Sequence, residues 1–213
     1  MAIDMINKQI NYNISKRSKP IKNIIVHYTG NYSKTANAEG HYNYFNSGDR
    51  KSSADIFVDD MSTWRINDYK QFYTWAVGDN ANYAGRKGKM NINSVHVEIC
   101  VNGNLELAIK RSQEVVYFLM QDLNLTIDDV YRHYDCSGKI CPPFLIDTVE
   151  WNKYKQGVIN CMSKDYIQIL KDKTTNPQGW IDVINYIESN PDKLGEMKIL
   201  KYLKVLIEKL GNK

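Results

Sequence analysis

Residues 132–142 read RHYDCSGKICP, and they place His133, Lys139 and Cys141 within one short loop. Neutral imidazole and thiolate are the ligand types that zinc prefers, and a catalytic zinc ordinarily takes three protein ligands and keeps a fourth position for water. His133 and Cys141 therefore call for a third partner. His27 is expected to supply it. It closes the apolar run of IKNIIVHYTG, residues 21–30, and so stands at the end of a buried strand, where a side chain points into the cleft lined by that strand end.

Outward from this loop the chain alternates strands and helices. NINSVHVEICVNG, residues 91–103, reads as a strand in which Val95, Val97 and Ile99 alternate with His96 and Glu98, putting the two polar residues on one face; Asn102-Gly103 closes it. Residues 105–123 carry Leu107, Val115, Val116, Leu119, Met120 and Leu123 at near-helical spacing, a helix that should cover the sheet. ADIFVDD (54–60) and STWRIND (62–68) predict a hairpin turning at Asp-Asp. Between the first strand and the hairpin, Ser33 or Thr35 is expected to cap a short helix that ends at the Gly48 turn. Residues 69–90 are rich in Gly, Asn and Tyr without periodicity and read as a loop walling the cleft. A last helix from about Thr148 to Met162 presents Trp151, Tyr154, Val158 and Ile159.

The sum is an α/β domain over residues 1–163, with a central, mainly mixed β-sheet flanked by helices. The polar run KDKTTN, residues 171–176, reads as a linker, and Asn176-Pro177 opens a small all-helical module spanning 164–213. Its stripes, Trp180 to Ile187 and Leu200 to Leu210, are helix packing before they are a ligand box. A tail this short buries little surface alone, so it should dock on the domain or pair with another copy.

Composition narrows the function classes. A chain of 213 residues with 43% hydrophobic content can bury a sizeable core. A net charge of +4, with Lys and Arg spread among acids, does not indicate nucleic acid. No window approaches the roughly 18 apolar residues of a membrane span, and the N-terminal segment lacks the apolar core of a signal peptide; the expectation is a soluble cytoplasmic product. Cys100, Cys136, Cys141 and Cys161 are too irregularly spaced for a disulfide scaffold. Cys100, inside SVHVEICV, reads as a small buried apolar residue.

His27 at a strand end, the SVHVE segment, and a His followed six residues later by Lys and eight later by Cys-Pro resemble the type 2 N-acetylmuramoyl-L-alanine amidases, a group similar in fold to the peptidoglycan recognition proteins and including many phage lysins. The resemblance covers about residues 20–162. It implies a zinc ion held by His27, His133 and Cys141, a catalytic Lys139 beside the attacking water, and Glu98 as general base. Other branches of the family use a Tyr on the earlier strand; the corresponding point here is Ala54, next to Asp55, so the base falls to Glu98. His96 is left as structural, and His41, on an expected surface helix, is given no role. Trp64, Tyr73, Trp75 and Tyr83 are core packing by default, with Trp75 named as a candidate wall of the groove.

The implied substrate is bacterial peptidoglycan, and the implied reaction is hydrolysis of the amide between N-acetylmuramic acid and L-alanine. Abundant Asn, Lys, Ile and Tyr, all encoded by A/T-rich codons, point to a low-GC Gram-positive host or its phage. The expected role is that of an endolysin, made in the host cytoplasm and acting on the wall at lysis, with the tail as a wall-binding or self-association module. The alternatives are a non-catalytic peptidoglycan-binding domain, an autolysin of the same fold, and a zinc peptidase cutting within the stem peptide.

Overall fold

The computed structural model describes residues 3–77 and 90–173; side chains are described as far as Cys161. The strands are β1 (Ile6–Asn7), β2 (Ile14–Lys16), β3 (Asn23–Tyr28), β4 (Ile56–Val58), β5 (Thr63–Arg65), β6 (Phe72–Thr74), β7 (Ser94–Ile99) and β8 (Val130–Arg132). The helices are α1 (Ala38–Asn46), α2 (Leu105–Leu123), the single short turn α3 (His133–Ser137) and α4 (Thr148–Lys173). The central sheet runs β1-β5-β4-β7-β3-β8; β4 pairs antiparallel with β5 and every other pairing is parallel, so the sheet is mixed as expected. A separate antiparallel pair joins β2 to β6.

Side-chain alternation divides the sheet between two layers. Ile24 and Val26 of β3 and Val95, Val97 and Ile99 of β7 turn toward α2 and α4, where they meet Val115, Val116, Leu119, Trp151, Tyr154 and Val158. On the other face Phe57 and Trp64 pack with Ala38, Ile10 and Cys100 beneath α1. The Cys100 thiol is pushed up by burial, as an inert packed cysteine should be. Leu119 is fully buried in the α2 layer, so Leu119→Ala is expected to cost about 2–5 kcal/mol. Urea unfolding should show a lower midpoint with an unchanged slope.

Several boundaries differ from expectation for local reasons. The cap of α1 is Asn37, whose side chain accepts from the Gly40 N–H, rather than Ser33 or Thr35. Leu107 is exposed, and Ala108 and Ser112 hold the core-facing positions of α2 instead. The stretch 69–90 contains β6, which needs β2 as its partner. Helix α4 runs past residue 163 to Lys173, taking in the first residues of the expected linker. Tyr83, the rest of that linker and the expected helical module from 174 onward lie outside the described residues. Among those described, no helix is long and apolar enough to cross a membrane.

Candidate metal centre

The parallel strands β7, β3 and β8 end on the same edge of the sheet, and an open sheet presents its ligand crevice beyond the carboxyl ends of such strands. His27 is the penultimate residue of β3, and the register sets it directly beside Glu98 of β7. The chain leaving β8 enters α3 at His133, and the Tyr134 N–H donates to the carbonyl of Cys141, folding the loop so that its cysteine returns to the same point. Arg132 holds the loop in place. Its guanidinium donates to Asp135 and to the carbonyls of Leu145 and Ile146, and Asp135 also accepts from the Arg132 backbone.

The three candidate ligands are buried, and their donor atoms all lie within 4.8 Å of one another. Nδ1 of His27 is 3.1 Å from Nδ1 of His133 and 4.0 Å from Sγ of Cys141. A tetrahedral zinc with its usual bond lengths would hold two ring nitrogens roughly 3.3 Å apart and a nitrogen and a sulfur roughly 3.6 Å apart, so the two pairs that include His27 stand within about half an ångström of that spacing. Two imidazoles and one thiol are also the donor set that zinc selects, which makes the fit chemical as well as geometric. Burial pushes both rings toward the neutral form that ligates metal: His27 falls well below the ordinary histidine value and His133 to about 4, each also feeling the charge of Lys139. The Cys141 thiol is pushed up to about 12 by burial and by Glu98, so it becomes a thiolate here only with a cation to neutralise it.

Glu98 lies at the rim of this cluster. Its Oε1 is 4.0 Å from Nδ1 of His27, and its Oε2 is buried without a hydrogen-bond partner. Burial raises the carboxyl to about 7, against the pull of Lys139. Such a carboxyl is poised to exchange a proton near neutrality. Lys139 is exposed on the ligand loop, close enough for its charge to act on His27, His133, Cys141 and Glu98.

The remaining candidates are distributed as follows. His96, read as structural, contacts the cluster: its Nδ1 is 3.1 Å from Nε2 of His27. His41 is packed rather than superficial, with its ring stacked on Phe57 at 4.8 Å and its pKa lowered to about 4 by burial. It lines a cavity of about 420 Å³ with Thr29, Thr35 and Tyr44. Trp75, the residue after β6, donates through Nε1 to the Ser15 hydroxyl of β2, and Trp64 packs under α1. Ala54 is buried, while Asp55 beside it accepts from Asn67, Thr74 and the His96 backbone. Cys136 shares the ligand loop but packs with Ile25, Val77 and Met90.

The family model described as N-acetylmuramoyl-L-alanine amidase matches residues 17–143, a stretch that includes His27, Glu98, His133, Lys139 and Cys141. The chain belongs to the N-acetylmuramoyl-L-alanine amidase family. Two amidases of Bacillus subtilis (strain 168) are similar to it along much of that domain. XlyA is 30% identical over 155 residues, which are 72% of this chain and 49% of XlyA. CwlH is 31% identical over 137 residues, 63% of this chain and 52% of CwlH. The chain therefore spans about half the length of these relatives. Among solved structures, a mutant endolysin from Bacillus subtilis superposes with a TM-score of 0.65 at 30% identity, over 74% of this chain and 99% of that one. The matched stretch takes in β3 to β8 with α1, α2 and α3, and the buried donor cluster lies within it.

Proposed function

We propose that this chain is a zinc-dependent amidase that hydrolyses the bond between N-acetylmuramic acid and L-alanine in bacterial peptidoglycan. The observation that carries the reading is the convergence of His27, His133 and Cys141 at one strand edge, with Glu98 beside them, inside a domain of this family. Zinc bound by those three residues would supply Lewis-acid polarisation of the scissile carbonyl and acidify the attacking water. Glu98 takes a proton from that water through its unpartnered carboxylate oxygen as the oxygen bonds to the lactyl carbonyl carbon. It then returns the proton to the departing nitrogen as the C–N bond breaks, leaving a carboxylic acid on the lactyl group and a free amino group on alanine, and the water's second proton passes from that acid to the released amine. The Lys139 ammonium stabilises the oxyanion that develops between these events.

Lys139→Ala is accordingly expected to lower turnover by roughly 10²-fold, the effect of losing one oxyanion-stabilising group, while zinc content stays at the parent level. Unchanged turnover would remove the catalytic role. The wider assignment is tested by clearing of purified Gram-positive walls. Clearing should stop on addition of a chelator and return with zinc, whereas wall binding without clearing under any metal condition would favour a recognition domain.

Similarity to a Bacillus endolysin, together with the A/T-biased residue usage, supports a low-GC Gram-positive wall as target and a lytic role after release from the host cytoplasm. Residues 164–213 would serve wall attachment or self-association within the same proposal.

A further inference from the structure

We infer that His96 is a positioning residue for the metal centre, accepting a hydrogen bond from Nε2–H of His27 so that Nδ1 of His27 is fixed as the ligating nitrogen. This inference rests on the zinc reading proposed above. The two nitrogens of the His27 ring face opposite ways. Nδ1 faces His133, Cys141 and Glu98, while Nε2 is 3.1 Å from Nδ1 of His96, with ring centroids 5.2 Å apart and planes inclined by 59°. A neutral imidazole carries one proton, so a ring that offers Nδ1 to a metal must carry that proton on Nε2. His27 is 1% exposed, which leaves little room for water to accept it, and the unprotonated Nδ1 of His96 is the group that meets it. His96 then bears its own proton on Nε2, a buried atom that has no hydrogen-bond partner in the structure.

The acceptor is itself rigidly mounted. His96 is fully buried on β7. Its backbone N–H donates to Oδ2 of Asp55 at 2.8 Å, and its carbonyl accepts from the Asp55 N–H at 3.2 Å. Asp55 is held in turn by Asn67 at 2.7 Å and Thr74 at 3.0 Å. Orientation therefore passes from a buried carboxylate at the start of β4, through the backbone of β7, to the ring that sets the tautomer of a ligand on β3. Partners of this kind typically change metal affinity by about 10–100-fold when removed.

The test compares the full chain with His96→Val, which fills the strand position without an acceptor, and His96→Asn, which returns an acceptor at the δ position. Zinc affinity is read by competition with a chromogenic chelator, and ligand geometry by the cobalt(II) absorption spectrum. The expected result is about 10–100-fold weaker zinc binding and a shifted cobalt spectrum in His96→Val, with substantial recovery of both in His96→Asn. Equal affinity in His96→Val and the parent, or equal loss in both variants, would overturn the positioning role while leaving the zinc reading intact. A parent chain that takes up no zinc would overturn both. Should His96→Val fail to fold, ¹⁵N-histidine NMR of the zinc-loaded parent decides the matter. A proton on Nε2 of His27, hydrogen-bonded to an unprotonated Nδ1 of His96, supports the inference, and a proton on Nδ1 of His27 overturns it.

Discussion

Cys141→Ala should copurify with little or no zinc and lose turnover on the order of 10³-fold or more, because the metal's contribution of several kcal/mol to the transition state goes with it. The charge balance of the cluster sets the size of this effect. His27 and His133 are neutral ligands, and the Cys141 sulfur is the one donor of the three that can bring a negative charge to a dication. Burial opposes that charge in the absence of metal, so the thiolate and the zinc stabilise each other and neither persists well alone. Removing a small buried thiol leaves the sheet and its helices in place, so far-ultraviolet circular dichroism should match the parent. Metal analysis after gel filtration, alongside hydrolysis of purified wall, checks the prediction; stoichiometric zinc with parent-level turnover in Cys141→Ala would contradict it.

Glu98→Gln has the second-largest expected effect, a fall in turnover of roughly 10²–10⁴-fold with zinc retained. The amide keeps the shape of the carboxylate but cannot take the proton of the attacking water. Stability should move the other way. A carboxyl raised from 4.5 to about 7 on folding favours the folded state fully below 4.5 and loses that contribution as pH rises through 7. Above pH 7 the parent therefore carries a desolvated charge that glutamine does not, and metal-free Glu98→Gln should melt no lower than the metal-free parent. Calorimetry and a zinc assay on the same preparation separate lost proton transfer from lost metal. Parent-level turnover in this variant would assign the base elsewhere.

Much of this centre is legible in the amino-acid sequence because its residues sit on strongly patterned segments. The alternation in SVHVEI announces a strand with one apolar face, and the spacing along Leu105–Leu123 announces the helix that covers it. The hairpin through Asp59 and Asp60 is equally plain. Strands β1, β2 and β6 are not. Each has two or three residues, too few for a period, and exists only because a partner is brought alongside: Ile6 and Asn7 by Trp64 and Arg65, and Ile14 by Thr74. The exposed Leu107 shows a related limit, since apolar character does not say which side of a helix end meets the core, and Ala108 and Ser112 are too small to stand out in a hydrophobic pattern.

The same limit explains why His96 reads as merely structural in the sequence. On its own strand it is simply a polar residue two positions before Glu98. Its contact with His27 comes from the parallel register of β3 against β7, which sets Ile25 beside His96 and His27 beside Glu98, and no local pattern encodes that register. The packing of His41 is hidden in the same way, because Phe57, which stacks on its ring, arrives from β4. Residues that announce themselves by chemical type in a short loop, as His133 and Cys141 do, need less of the fold to be found.

The most direct test of the central claim is to digest purified peptidoglycan from a low-GC Gram-positive bacterium with the zinc-loaded chain and assay new amino termini and new reducing sugars together. Free N-terminal alanine, no gain in reducing ends, and loss of the alanine signal on chelation are the expected results. New amino termini on other residues, new reducing ends, or hydrolysis indifferent to chelation would contradict it.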